Sequence, residues 1–366
     1  MKRFLIFSGF NIRAVIAFIR TLEDKRVHYA IIAKSESDDI FQTIYADKVV
    51  AIREYISLDL DDMVAVIKSV QSMFEEDRFI IAPSSEALNR FFLDYRETFK
   101  ELHCELPLVD KSLYEMVSDK YAFGKVCFKS DITVPLHSDK IDDFVLPFVA
   151  KPKKYVSENG KIYSPEIIQT IEALEAFKSR KNLKDFYFQE YIEGRSIYLL
   201  YYVDKEQNIY KYSQENLMQQ ENGKSMLLAK SSSFHNHKIS LKFEKLLRNI
   251  QFRGLIMIEL KLQNDKFFMI EANPRFWGPS QLFVDAGCNL FEIFLYDYGV
   301  IGKIENCCLT GGDFIYFWDD GISENFKDRN KVAYYNYDIE KFQSDLSKLK
   351  QIEIFNRKDT ENLYQG

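Results

Sequence analysis

The sequence lacks several features that would place it in common functional classes. Its 366 residues contain no apolar run close to the about 18 residues that a membrane span needs. Positive charge is not in excess either, because 49 Lys and Arg face 55 Asp and Glu, for a net charge of −6. The run after Met1-Lys2-Arg3 is too short for a secretion signal and is soon followed by Arg13. We therefore expect no membrane span and no nucleic-acid partner.

Cysteine is scarce, and its spacing predicts neither a disulfide framework nor a metal site. The five cysteines include no Cys-x-x-Cys pair, and Cys307 and Cys308 are adjacent. Free thiols in a reducing, cytoplasmic compartment are the simplest interpretation. His235 and His237 lie two residues apart, but no third ligand is near them in the sequence, so we expect exposed loop residues there.

A glycine-rich dinucleotide-binding loop is also absent, since Gly9 follows the first apolar run without a Gly-x-Gly-x-x-Gly pattern. Four apolar stretches have the spacing of regular elements: strands over 4–7, 29–33 and 79–82, and a helix over 12–22. Strand, turn, helix and strand predict a parallel sheet. Ser84 or Ser85 is expected to cap a following helix. Residues 1–112 are therefore predicted to form an open α/β domain.

Residues 254–278 contain the most informative pattern of the chain. Two apolar runs, 255–262 and 267–270, flank the polar residues 263–266, which predicts a β-hairpin with a short turn. Side chains alternate between the two faces of a strand. A hairpin can therefore bring Glu259 and Glu271 side by side, with Asn273 one alternate position further on.

These three side chains are hard oxygen ligands that suit Mg²⁺, which is commonly held by one or two carboxylates together with nucleotide phosphates. The alternative is a solvated cross-strand pair, but two like charges on adjacent strands repel each other without a cation. Pro274 ends the strand, and Arg275 adds a rigid fork for a phosphate or a carboxylate.

The run Glu271-Ala-Asn-Pro-Arg275, preceded by an acidic residue on the first strand, resembles the metal-binding signature of the ATP-grasp superfamily. Residues 276–280 and 285–290 resemble most its carbamoyl-phosphate-synthetase-like and carboxylate–amine ligase branches. The resemblance implies an α/β fold, with α+β character in the catalytic part. In that fold a Rossmann-like pre-ATP-grasp domain precedes an ATP-grasp fold that binds nucleotide between two lobes.

The resemblance extends over roughly residues 1–310 and implies a division of the chain into successive units. They are a pre-ATP-grasp domain (1–112), a small lobe with lead-in helices (113–195), a large lobe with the metal site (196–310), a C-terminal extension (311–358) and a tag remnant (359–366). The remnant is expected because 361–366 resemble a tobacco-etch-virus protease site with one Phe missing.

Three lysines are expected to contact the phosphates of ATP. Lys120 lies in a predicted helical stretch, 112–128, and Lys151 ends a predicted strand, 147–152. The resemblance implies that both bind phosphate. Lys161 ends the loop 153–161, which is expected to cover the phosphates. This loop has one glycine and therefore few main-chain N–H groups free to approach phosphate.

Residues 167–177 are predicted to form a packing helix.

Residues 186–196 resemble the hinge between the two ATP-grasp lobes. The resemblance implies that Gln189, Glu190, Tyr191 and Ile192 surround adenine, chiefly through the main chain of an edge strand. Ser196 stands where the family often has a glutamate that binds the ribose hydroxyls. A serine can make such hydrogen bonds, but it reaches less far.

The resemblance implies an ATP-dependent carboxylate–amine ligase that forms an amide bond through an acylphosphate and releases ADP and phosphate. Glu259, Glu271 and Asn273 would hold Mg²⁺, with Mn²⁺ as an alternative metal, and Arg275 would be the catalytic residue facing the carboxylate, the γ-phosphoryl group or the acylphosphate. The expected partners are small-molecule carboxylate and amine substrates, and a homodimer is left open. No side-chain nucleophile is required, and the sequence offers no convincing Ser-His-Asp or Cys-His arrangement.

Two alternatives remain open at this point. A carboxylase using bicarbonate or a synthetase using ammonia would share the site, although the sequence shows neither a biotin partner domain nor a glutaminase domain. A non-catalytic ATP-binding or sensing protein is favoured slightly by the glycine-poor loop and by Ser196, and is opposed by the complete metal set. The sequence identifies neither substrate.

Overall fold

The computed structural model describes residues 1–75, 77–154, 156–157, 160–305, 312–323 and 332–364. These residues form a five-stranded, a four-stranded and a seven-stranded sheet. Within the same ranges, every helix is too short or too polar to cross a membrane.

The N-terminal sheet has the strand order β3-β2-β1-β4-β5, and all of its strands pair in parallel. Its elements are β1 (Lys2–Phe7), α1 (Ile12–Asp24), β2 (Tyr29–Ala33), β3 (Val49–Ile52), α2 (Leu60–Met73), β4 (Arg78–Ile81), α3 (Glu86–Asp94), α4 (Arg96–Glu101) and β5 (Cys104–Glu105). This order is that of the first five strands of a Rossmann fold. The predicted parallel α/β arrangement is confirmed, and Ser85 caps α3 by accepting a hydrogen bond from the amide of Leu88 (3.3 Å).

The second sheet is antiparallel and has the order β6-β9-β7-β8. The elements that follow β5 are α5 (Lys111–Ser118), α6 (Lys120–Lys129), β6 (His137–Ser138), β7 (Phe148–Pro152), β8 (Glu166–Ile168), α7 (Ile171–Arg180) and β9 (Phe186–Glu190). We use the name small lobe, with its lead-in helices, for these elements.

Two sequence predictions for this lobe are wrong in detail. The stretch 112–128 is two helices rather than one, because the side chain of Asp119 accepts a hydrogen bond from the amide of Ala122 (2.7 Å) and starts α6. The predicted helix over 167–177 begins only at Ile171, where Thr170 caps it. Residues 167 and 168 belong to β8 instead.

The largest sheet has the order β14-β13-β10-β11-β12-β15, and β16 pairs with β11. Its elements and the helices around them are β10 (Arg195–Val203), β11 (Ile209–Gln220), β12 (Met226–Ser231), α8 (Lys238–Asn249), β13 (Gly254–Gln263), β14 (Lys266–Asn273), α9 (Gln281–Asp285), α10 (Leu290–Asp297), β15 (Ile315–Phe317), α11 (Asp320–Ser323), β16 (Val332–Tyr334) and α12 (Ile339–Gln351). We use the name large lobe for the strands and helices from β10 to α10.

The C-terminal part of the chain packs against the units that precede it. Strands β15 and β16 extend the sheet of the large lobe. Asp359 accepts a hydrogen bond from Nε of Arg20 (2.7 Å) and one from the Tyr45 hydroxyl (2.8 Å), and Thr360 is fully buried. These two residues, assigned to a tag remnant from the sequence, therefore make packed contacts with the N-terminal domain.

The structure also places three of the five cysteines. Cys104, Cys127 and Cys288 are buried free thiols, whereas Cys307 and Cys308 lie outside the described residues.

Candidate active site

The hairpin of β13 and β14 places the two predicted carboxylates directly opposite each other. Its two-residue turn consists of Asn264 and Asp265, both with positive φ (48° and 60°), as a tight hairpin turn requires. In the resulting register Glu259 pairs with Glu271. A bulge next to this pair makes Ile270 the extra residue of β14, and its carbonyl accepts a hydrogen bond from Nζ of Lys151 (3.4 Å). The turn and the bulge together bring the lysine and both carboxylates to one place.

Glu271 is the more strongly ionised of the two carboxylates. Burial alone would raise its pKa, but the charge and hydrogen bond of Lys120, whose Nζ lies 2.5 Å away, outweigh burial and hold the pKa at about 2. Asn273 donates a further hydrogen bond to Glu271 (2.8 Å). Lys120, which is far from residues 271 and 273 in the sequence, therefore lies beside them in the structure.

Glu259 lies deeper, and buried polar side chains surround it. Burial and then the charge of Glu271 raise its pKa. A relay of donors ends on it: Gln214 donates to Asn216 (2.6 Å), Asn216 to Ser196 (2.9 Å), and Ser196 to Glu259 (3.2 Å). Donors arranged in this direction orient a carboxylate and help it to remain ionised.

Ser196 therefore has a different position from the one expected for a ribose ligand. It is fully buried, does not line the cleft described below, and has its hydroxyl engaged by Asn216 and Glu259. In this position Ser196 donates its hydroxyl hydrogen to Glu259, and this arrangement does not favour the expected contact with ribose.

Lys151 is buried beside the carboxylate pair. Only 4% of its surface is exposed. Burial, followed by the charge of Lys120, lowers its pKa to about 7. An anionic ligand next to Lys151 would favour its protonated form, since an opposite charge stabilises an ammonium group.

Arg275 is held at the end of β14 by neutral acceptors. Nη1 donates to the carbonyl of Phe276 (2.8 Å), and Nη2 donates to Oδ1 of Asn273 (3.3 Å). Within the described part of the chain, its buried Nε has no hydrogen-bond partner. The guanidinium is thus oriented and retains a donor for a ligand.

A cleft with a volume of about 840 Å³ lies between the N-terminal domain and the two lobes, and neither Lys151 nor Glu259 is among its lining residues. Lys120, Glu271, Asn273 and Arg275 line it, and Asn11, Arg13, Ser85 and Glu86 of the N-terminal domain do so as well. Lys161 is exposed, is absent from the lining, and has its amide bonded to Oγ of Ser157 (3.0 Å). Tyr155, Glu158 and Asn159 of the expected phosphate loop lie outside the described residues.

The hinge differs from the prediction in one respect, because β9 is not an edge strand. It lies between β6 and β7, so Gln189 pairs with residues on both sides. The amide of Glu190 donates to the carbonyl of Leu136 (2.9 Å) and is not available to adenine. Tyr191 and Ile192 lie in the loop after β9, where the main chain leaves the sheet.

Sequence reasoning missed Lys261 and Tyr335. Nζ of Lys261 lies 3.5 Å from the centroid of the Tyr335 ring, whose hydroxyl donates to Oε1 of Gln219 (2.9 Å). Burial lowers the pKa of Lys261 to about 8. Alternation offered a signal for Lys261, which follows Glu259 by two positions. None existed for Tyr335, which is contributed by the segment after β16.

The metal prediction rests on two carboxylates and one amide. Across the described ranges, no group of three or more His, Cys, Asp or Glu side chains is close enough to hold a metal. Glu259, Glu271 and Asn273 therefore do not form an all-protein cage. They fit a Mg²⁺ ion that takes its remaining ligands from nucleotide phosphates and water.

Comparison with known proteins identifies the domain to which these residues belong. Residues 117–279 match the family described as ATP-grasp domain. The chain therefore contains an ATP-grasp domain, and the resemblance predicted from the run 271–275 is confirmed. No curated protein matches the sequence.

Solved structures share the fold over most of the chain. A biotin carboxylase from Campylobacter jejuni is 15% identical, with a TM-score of 0.62 over 83% of this chain and 72% of that one. The N5-carboxyaminoimidazole ribonucleotide synthetase of Thermus thermophilus is 14% identical, with a TM-score of 0.60 over 85% and 82%.

Pyruvate carboxylase from Rhizobium etli is 13% identical, with a TM-score of 0.61, and the alignment covers 82% of this chain but 29% of that much longer protein. At these identities the similarity establishes the fold. The predicted fold class, a Rossmann-like domain followed by an ATP-grasp fold, is confirmed.

Proposed function

We propose that the protein is an ATP-dependent ligase that joins a carboxylate to an amine through an acylphosphate. The observation that carries this proposal is the pairing of Glu259 with Glu271 beside Lys120 and Lys151, at the edge of a cleft of about 840 Å³. Burying Glu259 and Lys151 beside the half-buried Lys120 and Glu271 is costly for the fold alone. The arrangement suits a reaction between two anions, whose charge has to be neutralised and aligned.

The metal ligands would be Glu259, Glu271 and Asn273. When bound with ATP, Mg²⁺ neutralises phosphate charge and aligns the γ-phosphoryl group. Glu271 is ionised at neutral pH because its pKa is held at about 2. Burial and the charge of Glu271 raise the pKa of Glu259, and a divalent ion bound beside both carboxylates would favour its ionised form.

Lys120 and Lys151 would bind the phosphates of ATP. Lys120 contacts Glu271 directly, and Lys151 is bonded to a main-chain carbonyl rather than to a carboxylate. Both ammonium groups can therefore take a phosphate oxygen as a further acceptor, since each carries three donors. Main-chain groups of Tyr191 and Ile192 would contact adenine.

Arg275 would orient the acid substrate. The carboxylate oxygen attacks the γ-phosphorus of ATP, the bond from γ-phosphorus to the β–γ bridging oxygen breaks, and ADP leaves. The amine then attacks the acyl carbon, a C–N bond forms, phosphate leaves with the C–O electron pair, and the amine loses a proton. The rigid guanidinium can face the carboxylate and then the acylphosphate without moving its backbone.

The direct test measures phosphate release from ATP and Mg²⁺ over a matrix of carboxylic acids and amines. Release that requires both an acid and an amine, with an amide product found by mass spectrometry, is the expected result. Release that needs only bicarbonate would replace the ligase with a carboxylase. Tight ATP binding without release under any condition would support a non-catalytic ATP-binding protein instead.

A further inference from the structure

The N-terminal domain contributes side chains to the cleft at a position where open parallel sheets bind ligands. Asn11 and Arg13 follow β1, Ser85 and Glu86 follow β4, and all four line the cleft. Strands β1 and β4 are neighbours in the order β3-β2-β1-β4-β5. The chain continues from β1 to β2 on one side of this pair and from β4 to β5 on the other side. In such sheets ligands lie outside the carboxyl ends of the strands at the point of reversal.

Charge in the cleft is unbalanced in favour of cations. Among the described residues that line it, six are Lys or Arg and three are Asp or Glu. Each acidic side chain already has a donor: Glu86 pairs with Arg90 (2.7 Å), Asp119 caps α6, and Glu271 pairs with Lys120. In the part of the chain that the structure describes, neither Arg13 nor Arg275 forms a salt bridge.

Arg13 is fixed in place by neutral groups of the large lobe and the C-terminal segment. Nη1 donates to the carbonyl of Met226 (3.0 Å) and to the Tyr316 hydroxyl (3.1 Å), while Nη2 donates to Oγ of Ser225 (3.0 Å). Its guanidinium carbon lies 3.7 Å from the centroid of a Trp318 ring. The contacts orient the charge without neutralising it, and two N–H groups remain for a ligand.

The neighbouring groups are also donors. Trp277 lines the cleft and is 2% exposed, yet its indole N–H has no acceptor among the described residues. Helix α1 begins next to the cleft, its cap residue Asn11 makes no side-chain capping bond, and its first turn contains no acidic residue. A helix start of this kind presents free N–H groups and partial positive charge. This end of the cleft is therefore suited to a ligand that only accepts hydrogen bonds.

We propose, on the basis of the function proposed above, that the acid substrate carries a second anionic group, a carboxylate or a phosphate. This group binds between Arg13, Trp277 and the start of α1, while Arg275 orients the carboxylate that is activated. Arg13 packs against Gly278, where a Cβ would lie 2.8 Å from its guanidinium carbon. Gly278 lies three positions after Arg275, so their Cα atoms are at most about 10 Å apart. One small molecule can therefore reach both cations.

The test is calorimetry on the full chain saturated with Mg²⁺ and a non-hydrolysable ATP analogue. Two matched pairs of acids serve as probes: succinate against butyrate, and 3-phosphoglycerate against glycerate. In at least one pair the acid with the second anionic group should bind about tenfold more tightly or better, as expected for charge-assisted hydrogen bonds. The pair that shows the difference distinguishes a carboxylate from a phosphate.

Variants assign the difference to Arg13. Arg13→Gln should abolish the preference and leave the affinity for the ATP analogue within about twofold, which also shows that the variant is folded. Arg13→Lys, which keeps the charge but loses the fork, should retain part of the preference. Arg26→Gln, an exposed position just after α1, should behave as wild type.

Two results would overturn the second anionic site. One is equal affinity within both pairs, including no binding of any of the four acids. The other is a preference that survives in Arg13→Gln. Phosphate release distinguishes a failure of this site from a failure of the proposed ligase function. Release that depends on an acid and an amine, and that is equally fast with succinate and butyrate, would exclude only the second anionic site. Failure of every acid and amine to stimulate release would exclude the ligase function.

Discussion

The sheet of the N-terminal domain and the sheet of the large lobe are stabilised in different ways. Strands β1 and β2 bury apolar side chains on both faces, as Phe4 and Leu5 show by packing into different core clusters. The large sheet also buries apolar side chains on both faces, as Leu199 and Leu200 show, but near the cleft one of its faces carries carboxylates, amides and hydroxyls. Apolar burial stabilises a fold directly, whereas buried polar groups cost free energy unless they are paired. The first sheet therefore supports the chain, and the polar face of the second is where binding is expected.

The largest effect should come from the apolar core of the N-terminal domain. Phe92 packs against Phe99, with ring centroids 4.7 Å apart, and against Phe7 at 5.4 Å. Phe92→Ala should lower the free energy of unfolding by about 3–5 kcal/mol, because it removes a fully buried ring and leaves a cavity. Denaturant titration measures the change. The affinity of the remaining folded protein for ATP should be unchanged, and a loss of ATP affinity would show that the two regions are not separate.

The next largest effect is expected for Glu271→Gln, and it concerns turnover and metal binding. At fixed Mg²⁺, turnover should fall by about 100-fold, or about 2.7 kcal/mol, because the change removes a charged metal ligand. The exposed substitution Glu175→Gln is the matched control. Mg²⁺–ATP should raise the melting temperature of wild type but much less that of Glu271→Gln. An equal rise in both proteins across a Mg²⁺ titration would show that Glu271 is not a ligand.

Glu271→Gln should also change how the stability of the fold depends on pH. The folded pKa of Glu271, about 2, lies below the ordinary value of 4.5, so its ionised form stabilises the fold above about pH 4.5. That contribution is lost as the pH falls from about 4.5 toward 2. The unliganded variant should therefore be less stable than wild type at neutral pH, and the difference should shrink over this range. Unfolding curves at several pH values test it, and a difference independent of pH would contradict the assigned ion pair.

Lys151→Met should weaken ATP binding by about tenfold, or about 1.4 kcal/mol, since it removes a charged donor to phosphate. Because the pKa of Lys151 is about 7, ATP binding above neutral pH should be accompanied by proton uptake in wild type only. Calorimetry in buffers of different ionisation enthalpy measures this uptake. Identical uptake in the variant would assign the proton to another group.

Lys151 also makes stability depend on pH, with the same sign as Glu271 but over a higher pH range. Its folded pKa is below the ordinary value of 10.5, so the unfolded chain binds more protons between about pH 7 and 10.5. The unliganded wild type should therefore gain stability relative to Lys151→Met as the pH rises through this range. Unfolding curves between pH 7 and 10 measure the difference in stability between the two proteins. A difference that stayed constant over this range would contradict the buried position of Lys151.

The smallest effect is expected for Ser196→Ala. The change removes a hydrogen bond to Glu259, worth about 1 kcal/mol, so the apparent affinity for Mg²⁺ should fall only severalfold. Because Ser196 is fully buried, ATP and its 2′-deoxy and 3′-deoxy analogues should keep the same relative affinities in the variant. A selective loss of discrimination among these nucleotides would restore Ser196 as a ribose ligand.

Regular apolar periodicity made much of the fold predictable. The N-terminal strands and the β13–β14 hairpin have the spacing of their secondary structure, so both followed from the sequence. Strand β11 does not show this apolar pattern over its whole length, because its buried residues 214–220 are mostly polar. They remain in the sheet by hydrogen bonding to one another and to partners distant in sequence, such as the bond from Gln220 to the carbonyl of Gly321 (2.8 Å).

Site residues were predictable where a short motif contains them. Glu271, Asn273 and Arg275 occupy alternate positions of one strand and its end, and the structure places them together. Arg13 and Tyr335 were missed because long-range packing alone places them, whereas Lys261 was missed although alternation puts it on the same face of β13 as Glu259. The edge-strand assignment of β9 failed for a related reason, because the two residues of β6 that cover it are too few to be recognised from sequence.

The two-residue turn between β13 and β14 has a consequence for how the chain can vary in length. Exposed turns ordinarily tolerate insertions and deletions. Here the turn fixes the register in which Glu259 meets Glu271, and a slip of one residue would send every following side chain of β14 to the other face. Homologues that share the site should therefore keep the length of the segment 259–271 constant even where its turn residues differ, while the connections at the far end of the same sheet are free to lengthen.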